Sequence, residues 1–180
     1  MPLKTRRTQT KPRRRPARSR PLRDDPAWMD RALRLARSAA VRGEAPIGAV
    51  LVTDGRIVGM GSNRPIAAGD PTAHAEVTAI RRAARSTRNY RLTGATLYVT
   101  LEPCLMCLGA MVHARITRLV YGASDPRVGS TRLLRGRRFP GLNHRVAVTG
   151  GVRADESADL LRQFFRERRG LRRRRPGGRA

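Results

Sequence analysis

A chain of 180 residues with 39% hydrophobic content is long enough for one domain with a real core and short for two. It has no apolar run near the roughly 20 residues of a membrane span, and no apolar stretch of the kind that opens a secretory signal. The formal charge of +26 suits polyanionic partners such as nucleic acid, while two cysteines argue against a disulfide framework and for a reducing, cytoplasmic setting.

The charge is concentrated at the ends. Residues 1–23 carry ten Lys/Arg and no acid, residues 168–180 carry seven Arg and no acid, and the segment between them holds every Asp and Glu at a net +9. The expected organisation is a disordered basic arm over 1–23, one folded domain over 24–168, and a disordered Arg-rich tail over 169–180. Two readings of the arms stand side by side. They would grip RNA phosphates, or they reflect genome composition, since arginine outnumbers lysine 37 to 2. An organellar import signal fits the N-terminal arm less well, because the arm has one Ser, four Pro and no amphipathic pattern.

Folded sequence is expected to start near Asp24, where Trp28, Met29, Ala32, Leu33, Leu35, Ala36, Ala39 and Ala40 recur at helical spacing before Gly43. Ile47–Val52 and Arg56–Met60 are apolar runs separated by Thr53-Asp-Gly55, a hairpin signal. A loop through Asn63 and Gly69 leads to a second predicted helix over Pro71–Arg85, with Asp70 or Thr72 as its N-cap. A strand over Ala95–Thr100, a helix over Pro103–His113, strands at Arg118–Tyr121 and Arg145–Val148, and a last helix over Asp155–Arg168 complete the pattern. The connection from Ala123 to His144 is too irregular to assign. The order α-β-β-α-β-α-β-β-α, with continuous apolar middle strands, predicts an α/β fold: a three-layer α/β/α domain around a mixed sheet of about five strands.

The chemistry is concentrated in two stretches. In Thr100-Leu-Glu-Pro-Cys-Leu-Met-Cys107, Cys104 and Cys107 stand three apart at a helix start, so both sulfurs can reach one ion at Zn–S distances of about 2.3 Å. The helix N-terminus favours the thiolate. A redox Cys-x-x-Cys also starts a helix, so spacing alone does not separate the two. His74, in Pro71-Thr-Ala-His-Ala-Glu76, supplies a third ligand and favours metal. A structural zinc wants four protein ligands, whereas a catalytic zinc uses three and leaves a position for water. His113 falls roughly 180° around the helix axis from Cys104, and geometry leaves His144 open, so three ligands is the better reading. Glu76 follows His74 by two positions, about 200° away on a helix, so the two divide the labour. His74 binds the ion, and Glu76 moves protons between the activated water and the leaving nitrogen.

His74-Ala-Glu76 with Pro103-Cys-Leu-Met-Cys107 resembles the signature of the zinc-dependent cytidine and nucleobase deaminase superfamily. Further stretches are similar to the bacterial tRNA-specific adenosine deaminases of TadA type: Ile47–Val52, Asn63-Arg-Pro-Ile, Asn89-Tyr-Arg-Leu, Ala95–Cys104, Gly109-Ala-Met, Pro140-Gly-Leu-Asn-His and the helix with Phe164-Phe165. The similarity runs from about Trp28 to Arg168. The tails are outside it, and Gly129–Phe139 departs from it as a shortened, more basic loop.

The resemblance implies a cytidine-deaminase-like fold, one Zn²⁺ per subunit on His74, Cys104 and Cys107, and deamination of the wobble adenosine (position 34) of a tRNA anticodon to inosine. The activated water attacks C6 of a flipped-out adenine, and Glu76 passes the proton to departing ammonia. The resemblance also implies that Asn63 hydrogen-bonds the base or its ribose, and backbone N–H groups near Ala75 and Cys104 are expected as donors within the site. Asp125, Arg166 and Phe165 with Phe164 would contact flanking nucleotides, and a homodimer would shape the RNA site. The plainer reading of the phenylalanines makes both core residues. Two rivals remain: a deaminase of a free base or nucleotide (cytosine, guanine or deoxycytidylate) on the same zinc core, and a zinc-stapled RNA-binding module without turnover. The second would need a fourth protein ligand and no role for Glu76.

Overall fold

The computed structural model describes residues 22–135 and 144–173. The expected arms, apart from their inner ends, and the motif residues 140–143 lie outside them.

The first helix, α1 (Asp25–Val41), carries Pro26 in its first turn and buries Met29, Ala32, Leu33, Ala36 and Ala39, a stripe at helical spacing. Strands β1 (Gly48–Thr53) and β2 (Arg56–Ser62) form an antiparallel hairpin. Its two turn residues, Asp54 and Gly55, both take positive φ (49° and 69°), the primed turn that matches strand twist. A one-turn helix, α2 (Pro65–Ala68), occupies what the sequence reads as loop. Then come α3 (Ala75–Thr87), β3 (Thr96–Leu101), α4 (Leu105–His113), β4 (Arg118–Ala123), a 3₁₀ turn (Thr131–Arg135), β5 (Ala147–Gly150) and α5 (Ala154–Arg173).

The five strands lie in the order β2-β1-β3-β4-β5. β1 is antiparallel to both β2 and β3, whereas β3, β4 and β5 run parallel. Period-two alternation sorts the strand side chains onto two faces. Ala49, Leu51, Leu97, Val99, Leu119, Tyr121 and Val148 join the core with Ala75, Ala79, Ala83 and Met111 of α3 and α4. Val50, Val52, Tyr98 and Val120 join Met29, Ala32 and Leu33 of α1 on the opposite face, with Leu160 of α5 packed alongside. The α/β/α layering expected from the apolar middle strands is therefore the observed architecture, with about five strands resolved to five.

Helix boundaries differ from expectation in ways that matter at the site. The second long helix begins at Ala75, not Pro71, because Asp70 Oδ1 accepts from both the N–H and the hydroxyl of Thr72 (2.8 and 2.7 Å) and closes a local turn instead of capping the helix. The helix after β3 begins at Leu105, which leaves Pro103 ahead of its N-cap. The last helix runs on to Arg173, five residues past the expected end.

Candidate metal centre and active site

His74 and Cys104 occupy equivalent places. Each is the N-cap of its helix, with extended backbone (φ −69°, ψ 155° and φ −74°, ψ 173°), and neither side chain caps its own helix. Being outside the helical spiral, both side chains are released to meet each other. Cys107, one turn into α4, is the third member.

Close packing fixes where these helix starts lie. A Cβ at Gly61 of β2 would stand 2.1 Å from Ala75 O and 2.7 Å from Ala79 N, so β2 carries the backbone of α3 directly on its surface. Only glycine permits that approach. The parallel pair β3 and β4 flanks α4 in a β-α-β unit, which ends β3 at Leu101 and delivers Cys104 three residues later.

The ligand atoms of His74, Cys104 and Cys107 all lie within 4.8 Å of one another. His74 Nδ1 stands 3.7 Å from Cys104 Sγ and 3.5 Å from Cys107 Sγ. Metal bonds of about 2.1 Å to nitrogen and 2.3 Å to sulfur, set at a tetrahedral angle, put N and S about 3.6 Å apart. The residues therefore fit a zinc-sized ion held by one imidazole and two thiolates.

The ionisation of the trio points the same way. The hydrogen bond from Cys107, then that with His74, pulls the Cys104 thiol down to about 4 in spite of burial. Cys107 is pushed up by its bond to Cys104, then by burial and by Glu76. The bond to Cys104 holds His74 above its usual value against the opposing effect of burial, with the Glu76 charge adding to it. The three groups thus share protons that a bound cation would displace, leaving both sulfurs ionised.

Glu76 is in the first turn of α3 and only 4% exposed. Burial pushes its carboxyl above the usual carboxylate range, opposed by its own backbone N–H and by His74. It lies close enough to Cys107 to share a hydrogen bond with it. The awkward spacing of His74 and Glu76 is resolved by the cap: one residue sits before the helix and the other within it, and they converge from different backbone conformations.

The other predicted site residues divide. Asn63 is buried, and its Oδ1 accepts the Ala75 N–H at 3.1 Å, so the amide caps α3 and the Ala75 donor is already engaged. Asp125 is half-buried, with Oδ1 accepting from the N–H groups of Arg127 (2.9 Å) and Val128 (3.2 Å). The two phenylalanines part company: Phe164 is 8% exposed and lies under the Arg168 guanidinium, while Phe165 is 45% exposed. His113 is exposed at the end of α4. His144 donates from Nε2 to Ile116 O at 2.7 Å, which commits it away from the cluster.

Sequence reasoning passed over two carboxylates. Glu44, 2% exposed, accepts the Ala67 N–H at 2.8 Å and so holds α2. Glu102 accepts from Asp125 and Thr131 across the loop that follows β4. Its place between a strand end and Pro103-Cys104 was the available signal.

Comparison with known proteins agrees with this geometry. The family model of MafB19-like deaminases matches residues 23–169. The tRNA-specific adenosine deaminase of Haemophilus influenzae is 50% identical over 151 residues, covering 81% of this chain and 85% of that protein. The tRNA-specific adenosine deaminase of Agrobacterium fabrum is 51% identical over 145 residues, covering 79% and 94%. A solved structure from biochemical and structural studies of A-to-I editing by tRNA:A34 deaminases at the wobble position of transfer RNA superposes with a TM-score of 0.71 at 48% identity, covering 75% of this chain and 99% of that one. With the layered sheet, the His/Cys cluster and the buried glutamate in place, this likeness is decisive, and the chain belongs to the tRNA-specific adenosine deaminase family of MafB19-like deaminases.

Proposed function

We propose that this chain hydrolytically deaminates the wobble adenosine, position 34, of tRNA anticodons to inosine: adenosine and water become inosine and ammonia. The observation that carries the reading is a three-ligand cluster with a buried carboxylate beside it, on a chain about half identical to tRNA-specific adenosine deaminases. Three protein ligands suit a catalytic metal, since a structural site would use four.

His74, Cys104 and Cys107 would hold one Zn²⁺ per subunit. Zinc in such a site supplies a Lewis acid that makes a water acidic near neutral pH. Glu76 takes the proton of the attacking water and returns it to N6 of the adenine, so that the amine leaves as ammonia. Burial suits it to the task, because a carboxyl raised above the usual carboxylate range takes up a proton more readily than an exposed one. Asn63 has its carbonyl engaged by Ala75, and its amide NH₂ is the group left to donate to the base or ribose. Exposed Phe165 offers a ring for stacking a flanking base, and Asp125 is carried on a turn that its own carboxylate organises.

The same reading makes the enzyme a cytoplasmic homodimer, with one deaminase domain over 24–168; the basic arms either add grip on RNA phosphates or reflect composition, which the salt dependence of RNA affinity decides. Among the described residues no helix is long and apolar enough to cross a membrane.

Incubation with an anticodon stem-loop containing adenosine, followed by nucleoside analysis, tests the reading. Inosine at the wobble position is expected. Glu76→Gln should abolish turnover while bound zinc is retained. Ammonia from free guanine or cytosine with none from the stem-loop would transfer the assignment to a free-base enzyme.

A further inference from the structure

We propose that Glu102 is a positioning residue, one that latches the loop carrying Asp125 onto the strand–helix junction carrying Cys104, and so sets how the RNA substrate is seated. The inference rests on the function proposed above and adds a residue to it.

Glu102 immediately follows β3, and its N–H donates to Ala123 O at 2.8 Å, extending the β3–β4 ladder by one bond. Its carboxylate then turns to the loop beyond β4. Oε1 accepts from the Thr131 N–H (3.1 Å) and hydroxyl (2.6 Å), and Oε2 accepts from the Asp125 N–H (3.2 Å). One side chain thereby grips both ends of the loop. The next residue repeats the pattern: Pro103 O accepts from the Ser130 N–H at 3.0 Å and hydroxyl at 2.8 Å. Ser130 and Thr131 are 4% and 3% exposed, so these donors are hidden from water and need their partners.

Packing agrees with the bonding. A Cβ at Gly129 would stand 2.5 Å from both Cδ and Oε2 of Glu102, so the loop backbone lies directly against the carboxylate. Within the loop, Asp125 accepts from Arg127 and Val128, and Gly129 N–H returns to Asp125 O at 3.0 Å. The turn that presents Asp125 is thus built by Asp125 and located by Glu102. Because the next residue but one is Cys104, the position of Asp125 is referred to the metal cluster through two residues of backbone. A carboxylate suits this task where an amide does not. It presents acceptors on both oxygens, whereas glutamine would aim an NH₂ at one of the loop's N–H donors.

The decisive experiment uses the full-length, zinc-loaded chain and the variants Glu102→Ala and Thr131→Val. In Glu102→Ala, amide exchange at Asp125 and Thr131 should accelerate about tenfold or more while α3 is unchanged. KM for the anticodon stem-loop should rise about tenfold, with kcat within about twofold and zinc still at one per chain. Thr131→Val, which removes only the hydroxyl donor, should move the same quantities the same way by less, and it carries the test if Glu102→Ala fails to fold. Unchanged loop exchange would overturn the latch. Loss of zinc, or a fall in kcat at constant KM, would show that the carboxylate serves the metal motif instead of substrate seating. Absence of inosine with the wild-type chain would refute the wobble-adenosine reading and the KM half of this inference, while the exchange rates would still decide whether Glu102 holds the loop.

Discussion

Adding one methyl group to Gly61 should weaken the metal centre from the far side of a helix. The new Cβ would stand 2.1 Å from Ala75 O, 2.7 Å from Ala79 N and 3.0 Å from Thr78 Cβ, where ordinary contact begins at 3.4 Å. The first two obstacles are helix backbone, which cannot swing aside as a side chain would. The first turn of α3 must therefore retreat by roughly an ångström, against a tolerance of about 0.2 Å for zinc–ligand distances. Overpacking of this kind costs about 1–3 kcal/mol, a fall in Tm of a few degrees for a domain of this size. Displacing His74 should lower zinc affinity by about 10–100-fold, the range seen when the support behind a ligand is disturbed. The assay is thermal unfolding with and without chelator, together with a competitive zinc titration of Gly61→Ala. Gly170→Ala, at an exposed position of α5 where a Cβ meets nothing within 4 Å, is the control and should be neutral or slightly stabilising. Wild-type zinc affinity in Gly61→Ala would refute the claim that β2 positions the helix start.

Three further outcomes follow from features away from the cluster. Asp25, wholly buried, accepts from Arg118 through two bonds of 2.7 Å, from the Tyr98 hydroxyl at 3.0 Å and from the Leu22 N–H at 2.8 Å, so Asp25→Ala takes the opposite charge away from a buried guanidinium and should cost about 3–5 kcal/mol in urea unfolding, with Asp25→Leu/Arg118→Met recovering much of it. Burial raises the Asp25 carboxyl, but the Arg118, Leu22 and Tyr98 bonds outweigh it and hold the group below its ordinary value; its contribution is therefore complete above the unfolded carboxylate value of about 4 and fades as pH falls through the lower folded value, a loss that Asp25→Ala should not show. Removal of residues 1–21, which carry nine Lys/Arg and spare Leu22, should flatten the slope of log RNA affinity against log salt; an unchanged slope would make the charge of that arm compositional.

The sequence by itself determined the layered fold and the His/Cys cluster. The near-continuous apolar runs in Gly48–Thr53, Thr96–Leu101 and Arg118–Ala123 need no tertiary knowledge to read, because a strand covered on both faces carries apolar side chains at nearly every position. Cysteine and histidine are scarce in this chain, so His74, Cys104 and Cys107 stood out on chemistry alone. What only the tertiary structure decided is how polar groups pair over long separations. That Asp125 answers to Glu102, 23 residues earlier, and Asp25 to Arg118, 93 residues later, leaves no trace in local pattern. The division of Phe164 from Phe165 likewise depends on where α5 meets its neighbours. Helix starts were misplaced for a related reason. Asp70 and Thr72 are good caps by type, but they bond each other, and the cap position falls to a histidine whose side chain is needed elsewhere. Hydrophobicity is a property a residue carries with it, whereas a hydrogen bond belongs to a pair, and folding alone chooses the partner.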